Sequence, residues 1–469
     1  MIVSPYILDF PIDNLTIVIN GLTGRIDIFK TKTWNLIKKY SKTNTLKALD
    51  HHLLNSLKND AYLFSTPKDY QKLFNQQAKR LFEKQKKRKI SLNINFSEDC
   101  NLSCPYCLNQ SRRTGIKMSK QHIDNLFNFI KSTANNNHYH KEITLFGGEP
   151  LLLNNRQLIA HLFNIFKHDN SYQFYVVSNG VTIAHYINLF TSNRKLISKF
   201  QITLDGPAEI HDQRRVSTKY PKTFSIITNN IDLLLKHNFQ THIRINLDKR
   251  NIDYLPQLAK FIHQKGWPNF KNFNIYAGLV KPSPPRTCAN KLLFNSIDLL
   301  KKISELKIKY PQTSIINDKR ITDYNVKYLN NQIQNQPSTM TITCCASTGV
   351  KSFTFGADGF IYACEAAVGI KTFRLGKYFP KLIWNQKNLK LWKNRFTINM
   401  KKCQTCPLVF TCGGGCPLTA YEIKSDIYAP HCNHTHDNLY QFVQLNKNKI
   451  NNIYLQKIGK THSEPSILS

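Results

Sequence analysis

Three cysteines within eight residues constrain this chain more than any other feature. Cys100, Cys104 and Cys107, in the run CNLSCPYC, have the spacing Cys-x3-Cys-x2-Cys. A short loop with that spacing can wrap three thiolates round one small inorganic cluster. Clusters of the [4Fe–4S] type are normally held by four cysteines, so three leave one iron open. Three buried free thiols are the plain alternative, because Cys packs as a small hydrophobe. Asn101, Ser103 and Pro105 between the cysteines argue against it. Ahead of the loop, residues 90–96 alternate apolar and polar and read as a strand.

Length and charge set the frame. A chain of 469 residues is long enough for about two to four domains. It has no basic start followed by an apolar run and a small-residue cleavage site. It also has no run of about eighteen apolar residues, so no membrane span is expected and the chain reads as cytoplasmic. There, twelve cysteines read as metal ligands before disulfides. Lys+Arg number 65 against 29 Asp+Glu, a net charge of +36. Such a field attracts nucleic acid, an anionic membrane surface or an acidic peptide. The lysines are spread throughout, as in any Lys-, Asn- and Ile-rich composition, so the charge alone names no partner.

Residues 1–88 hold no cysteine. Strand-like runs at 15–19 and 24–29, helical patterns at 33–40 and 45–57, a short segment at 62–64 and a helix at 67–85 give the order β-β-α-α-β-α. This predicts a small winged-helix-like module, with a basic linker over 84–89. From 89 to 285 the pattern alternates, with strands at 90–96, 142–146, 173–177, 200–204, 241–247 and 273–276 and helices between them. Six β/α units predict an α/β fold, a parallel sheet curled into a partial (β/α)6 barrel. In such folds the site lies at the carboxyl ends of the strands.

Polar motifs occupy those ends. Gly147-Gly148-Glu149-Pro150 follows the second strand, Ser178-Asn179-Gly180 the third and Thr203-Leu204-Asp205-Gly206-Pro207 the fourth. His211-Asp212-Gln213-Arg214-Arg215 comes next. Each taken alone reads as a turn. At successive strand ends beside a cysteine loop, they read as one ligand-binding rim.

With Tyr106 before the third cysteine and Gly-Gly-Glu-Pro downstream, the core resembles radical S-adenosylmethionine (SAM) enzymes over roughly residues 90–280. The resemblance implies that Cys100, Cys104 and Cys107 ligate a [4Fe–4S] cluster whose open iron binds SAM. It implies that Tyr106 lies near the adenine and that Gly147, Gly148 and Glu149 meet the methionine amino group. Ser178, Asn179, Thr203 and Asp205 would line the ribose and methionine region. Arg215, at the Arg of a His-Asp-x2-Arg pattern, would hold the SAM carboxylate. SAM cleavage would yield a 5′-deoxyadenosyl radical.

After a connecting segment at 286–340, eight cysteines run from Cys344 to Cys432. The spacing is Cys345-x13-Gly359-x4-Cys364, then Cys403-x2-Cys406-x5-Cys412-x3-Cys416, then Cys432. Metal is the natural reading, and zinc is the rival to iron–sulfur. Gly413-Gly414-Gly415 permits tight wrapping. The spacing resembles the SPASM extension of radical SAM peptide maturases. The resemblance implies two auxiliary [4Fe–4S] clusters in a domain at 341–436, followed by a C-terminal helix and tail at 437–469. Cys403, Cys406, Cys412 and Cys432 would hold one cluster, and Cys345, Cys364 and Cys416 the other. Where a fourth ligand of the second cluster is expected, six residues before Cys345, the chain has Thr339. Either the adjacent Cys344 completes that cluster or an iron stays open for substrate. Cys288 reads as structural or incidental.

By the same resemblance, the N-terminal module would recognise an acidic leader, and the activity expected is crosslinking of a ribosomally made precursor peptide. An external electron donor of flavodoxin or ferredoxin type is implied. An anaerobic sulfatase maturase is the alternative. There an Asp follows the second SPASM cysteine as proposed base, and here Glu365 holds that place as the candidate catalytic residue. A basic iron–sulfur protein that binds nucleic acid without catalysis is the third reading. The Gly-Gly-Glu-Pro motif and the three-ligand site argue against it.

Overall fold

The computed structural model describes the chain except at residues 44, 46–48, 108–111, 134–138, 170, 218, 281–290, 320, 322–323, 335, 346, 433–434 and 461–469. Cys288, the proline-rich break at 281–285 and the tail at 463–469 lie outside the described residues. Packing divides the chain into two units. One gathers Met1–Lys87, Thr322–Cys345 and Arg395–Ser469; the other gathers Arg88–Ile321 and Ala346–Asn394.

In the first unit, β1 (Ile2–Val3) pairs with β5 (Leu63–Phe64), while β2 (Ile7–Ile12), β3 (Leu15–Asn20) and β4 (Ile26–Lys30) form an antiparallel sheet in the order β2-β3-β4. The expected β-β-α-α-β-α order is therefore preceded by two further strands, β1 and β2. β2 was not legible because Asp9 and Pro11 break its apolar run. The helix Pro67–Lys86 starts where the sequence predicts. Thr66 and Asp69 form a reciprocal cap, and Pro67 occupies the first turn, where its missing N–H costs nothing. Its buried residues, Phe74 and Leu81, lie two turns apart on one face. That face joins Tyr6, Leu22, Tyr328, Met340, Ile342, Phe396, Val409 and Phe410 in a single core. The Phe74 and Phe410 rings lie 5.0 Å apart. The N-terminal segment thus shares one hydrophobic core with the cysteine-rich segment.

The second unit is α/β and is built on one ten-stranded sheet. β6 (Ile90–Asn95), β7 (Tyr139–Phe146), β8 (Gln173–Ser178), β9 (Ile197–Thr203), β10 (Thr241–Leu247) and β11 (Phe273–Leu279) are parallel neighbours in sequence order. The order of these six strands has no reversal. On the other side of β6 the sheet continues through β12 (Ser352–Gly356), which is parallel to it. β13 (Phe360–Tyr362), β14 (Arg374–Lys377) and β15 (Ile383–Trp384) follow as an antiparallel run. Among the described residues no helix is long and apolar enough to cross a membrane.

Candidate active site

The carboxyl ends of β6 to β10 carry the rim. Past β6 the chain turns through Ser97–Asp99 into the cysteine loop. Cys100 Sγ accepts from Leu102 N at 3.4 Å, and Cys107 N donates to Cys104 O at 3.0 Å, so the loop is held by its own backbone. Arg113 ties it down through Leu102 O. The two glycines after β7 make this fit. A Cβ on Gly148 would lie 2.1 Å from Asp99 O, and Gly147 has φ +137. The close approach that the glycines allow is therefore that of the cysteine loop itself.

Glu149 is fully buried and acts as an anchor between strand ends. Its Oε1 accepts from Ser178 Oγ at 2.8 Å and Leu151 N at 2.9 Å, and its Oε2 from Asn179 N at 2.6 Å. Burial pushes its pKa up against those bonds. Asn179 reaches back to the loop, with Nδ2 2.7 Å from Asn101 Oδ1 and 3.7 Å from Cys100 Sγ.

On the far side, the Tyr106 hydroxyl donates to Asp205 and accepts from Arg215 Nη1 at 2.9 Å. Burial pulls the Arg215 pKa down, but Tyr106, Cys104 and Asp205 outweigh it and hold it well above the usual value. Asp205 Oδ1 also accepts from Asn246 N at 2.8 Å. Thr203, half-buried, ends β9. Sequence reasoning missed the layer beneath. Arg214 lies over the Tyr106 ring at 4.9 Å and binds both Asp248 oxygens, at 2.8 and 2.9 Å. Arg250 also holds Asp248, at 2.6 Å. The available signal was position: Asp248 directly follows β10, at the same level as the other rim residues.

These residues fit a [4Fe–4S] cluster and a polar ligand. Burial, then the Glu149 charge, pushes the Cys100 thiol up to about 12, and burial likewise raises Cys104. A bound metal would offset that cost and hold the thiolates deprotonated. Ser97 Oγ, Glu98 Oε2, Asn101 Nδ2 and Arg215 Nε are buried beside the loop without a hydrogen-bond partner. Such orphans mark a site for a polar ligand. Among the described residues no three His, Cys, Asp or Glu side chains converge on a single metal ion. A four-iron cube is wider than an ion and asks for thiols set further apart.

In the first unit, Cys403, Cys406, Cys412 and Cys432 are electrostatic neighbours. Burial, then the other three cysteines, raises Cys403 to about 12. Cys344 neighbours Cys345 and Cys416. Cys364, just past β13, and Glu365, on the short turn Glu365–Ala367, belong to the second unit. Gly413, Gly414 and Gly415 all have φ between 74 and 81. A Cβ on Gly413 would lie 2.4 Å from Cys344 N, and one on Gly415 2.0 Å from His431 O. The glycines thus seat the Cys412–Cys416 turn against the neighbours of Cys344 and Cys432.

Residues 90–223 match the family described as a 4Fe-4S single cluster domain. The chain is 23% identical over 337 residues to a cysteine-type anaerobic sulfatase-maturating enzyme of Clostridium novyi, covering 68% of this chain and 85% of that protein. It is 22% identical over 366 residues to a serine-type enzyme of Bacteroides thetaiotaomicron, covering 74% and 86%. The fold resembles native anSMEcpe with bound AdoMet and Cp18Cys peptide (TM-score 0.58, 19% identity, 78% of this chain and 99% of that one). It also resembles Streptococcus suis SuiB bound to S-adenosylmethionine (TM-score 0.53, 15% identity, 92% and 99%). The cysteine motif, the matched cluster domain and these relatives point to a radical SAM enzyme. The matched family is a 4Fe-4S cluster domain, and SAM is bound in the anSMEcpe and SuiB structures that the fold resembles.

Proposed function

We propose that this radical SAM enzyme is a maturase that introduces a thioether or other crosslink into a ribosomally made precursor peptide. The observation that carries the reading is the reach of the fold likeness. The SuiB structures align over 92% of this chain, against 78% for the anSMEcpe complex, and one SuiB structure is bound to its precursor peptide SuiA. In the proposal, Cys100, Cys104 and Cys107 hold the cluster that binds SAM. Bound there, the cluster and SAM would supply one-electron radical chemistry at an unactivated carbon of the substrate. Tyr106, Gly147, Gly148, Glu149, Ser178, Asn179, Thr203, Asp205 and Arg215 position SAM. Arg215 suits its carboxylate because a guanidinium presents paired donors.

Cys403, Cys406, Cys412 and Cys432 hold one auxiliary cluster in this reading. Cys345, Cys364 and Cys416 hold the other, with Cys344 or a substrate thiolate as its fourth ligand. A leader peptide adds as a strand at an edge of the β2-β3-β4 sheet. An acidic leader suits a chain of net charge +36. A reduced flavodoxin or ferredoxin supplies the electron.

A second reading is favoured by the curated relatives, which are sulfatase-maturating enzymes. In it Glu365 acts as the base that takes a proton from the substrate side chain. Anaerobically reconstituted protein with a reductant and SAM should release 5′-deoxyadenosine, and Cys104→Ala should abolish that release while Cys406→Ala spares much of it. Absence of 5′-deoxyadenosine would sink both readings. A candidate peptide that loses about two mass units supports crosslinking; a loss of about eighteen from a cysteine reports formylglycine.

A further inference from the structure

Arg395 is 0% exposed and is among the largest fully buried side chains of the protein. It lies in the first unit, ahead of Cys403. Its Nε donates to Ile427 O and its Nη2 to Gly415 O at 3.4 Å, while Nη1 is buried with no partner. Among the described residues no carboxylate pairs with it. Burial lowers its pKa, against the opposing influence of Cys344, Cys345, Cys416 and Cys403, and its Gly415 contact puts it beside Cys416. A buried charge is retained when it is paired and hydrogen-bonded. Guanidinium is the side chain least able to shed its proton in response. Neutral thiols supply no counter-charge. Thiolates bound to an iron–sulfur cluster do, because a four-cysteine [4Fe–4S]2+ site carries about −2.

We propose that Arg395 is the built-in counter-cation of the auxiliary cluster at Cys345 and Cys416, with its Nη1 hydrogens reserved for that cluster's sulfur. The inference rests on the auxiliary-cluster reading. Arg395 is a positioning residue here, since it reaches substrate only through the cluster. Its physical effect is on electron affinity. Reduction adds one electron and one negative charge to the cluster. A fixed positive charge and a donor to sulfur stabilise that state and raise the reduction potential.

The test is an anaerobic redox titration, by electron paramagnetic resonance, of full-length protein in which Cys100, Cys104 and Cys107 are all Ala. Only auxiliary clusters then report. Arg395→Gln removes the charge, and Arg395→Lys keeps it. With Gln the reduction equilibrium should fall at least tenfold, about 59 mV for one electron, at unchanged iron content. With Lys it should stay within a few-fold. An unchanged potential in Arg395→Gln at full iron content overturns the proposal. A triple-Ala parent that binds no iron overturns the auxiliary-cluster reading beneath it. Should Arg395→Gln fail to fold, unaltered protein labelled with 15N at arginine decides. Guanidinium 15N coupling to the reduced auxiliary cluster supports the proposal, and its absence in fully loaded protein overturns it.

Discussion

Asn179 N donates to Glu149 Oε2 at 2.6 Å, which joins the loop after β8 to the one after β7. The same Asn179 reaches Cys100 and Asn101 through its side chain. Glu149 is therefore the point where strand ends and cysteine loop are locked together. Glu149→Gln puts an NH2 group where one oxygen now accepts, leaving a buried donor pair unmatched. The cost is about 1–3 kcal/mol. We expect SAM cleavage to fall roughly five- to hundred-fold by that measure, with a weaker SAM Kd by equilibrium dialysis. Unchanged 5′-deoxyadenosine release would show that Glu149 is dispensable to the site.

Asp248 gives an acid limit to stability. Burial works to raise its pKa, but Arg250 and Arg214 outweigh this and hold it below the ordinary 3.8. A folded-state pKa below the unfolded one stabilises the protein above about pH 4, and that contribution is lost as pH falls through the folded value. Asp248→Asn leaves Arg214 buried without its partner. It should cost about 3–5 kcal/mol at neutral pH and flatten the acid limb of the stability curve. Chemical denaturation across pH 2.5–7 (roughly the span over which carboxylates titrate) measures both.

The glycines at 413 and 415 have no room for a methyl group. Gly415→Ala forces the Cys412–Cys416 turn off the His431 carbonyl. The chain should then lose about four irons, one cluster's worth, while SAM cleavage persists. Iron analysis beside a 5′-deoxyadenosine assay separates the two. Full iron loading in Gly415→Ala would refute this role.

Phe74 packs on Tyr6 at 5.5 Å and on Phe410 at 5.0 Å. Phe74→Ala should destabilise the first unit by about 3–5 kcal/mol. Deleting residues 1–87 should expose the remaining core around Phe396 and Phe410 and cost auxiliary iron. A truncated chain that stays soluble with its full auxiliary iron would show the N-terminal segment to be an independent module.

Much of the second unit was legible in sequence because parallel strands and crossover helices are local patterns. All six strands expected between 90 and 276 are present, with ends shifted by a few residues. The Cys100 loop and the residues at the strand ends could be located because a period-2 run followed by a polar motif marks a carboxyl end. Asp248 and Arg250 were not, because their role depends on Arg214 arriving from the end of the helix Ala208–Arg214. The glycine motifs were legible as places of close approach. What approaches is decided by packing: Glu98 and Asp99 against Gly148, and Thr343 with Cys344 against Gly413.

The sequence by itself showed that one short loop offers three thiols, because cysteine spacing is local along the chain. Only the tertiary structure decided that Met1–Lys87 packs in one unit with Thr322–Cys345 and Arg395–Ser469, and that Ser352–Gly356 extends the core sheet beside β6. The reason is physical. Ligand spacing is local along the chain, whereas apolar burial pairs residues without regard to sequence distance. The faces of Phe74 and Phe410 carry no mark of each other until they meet.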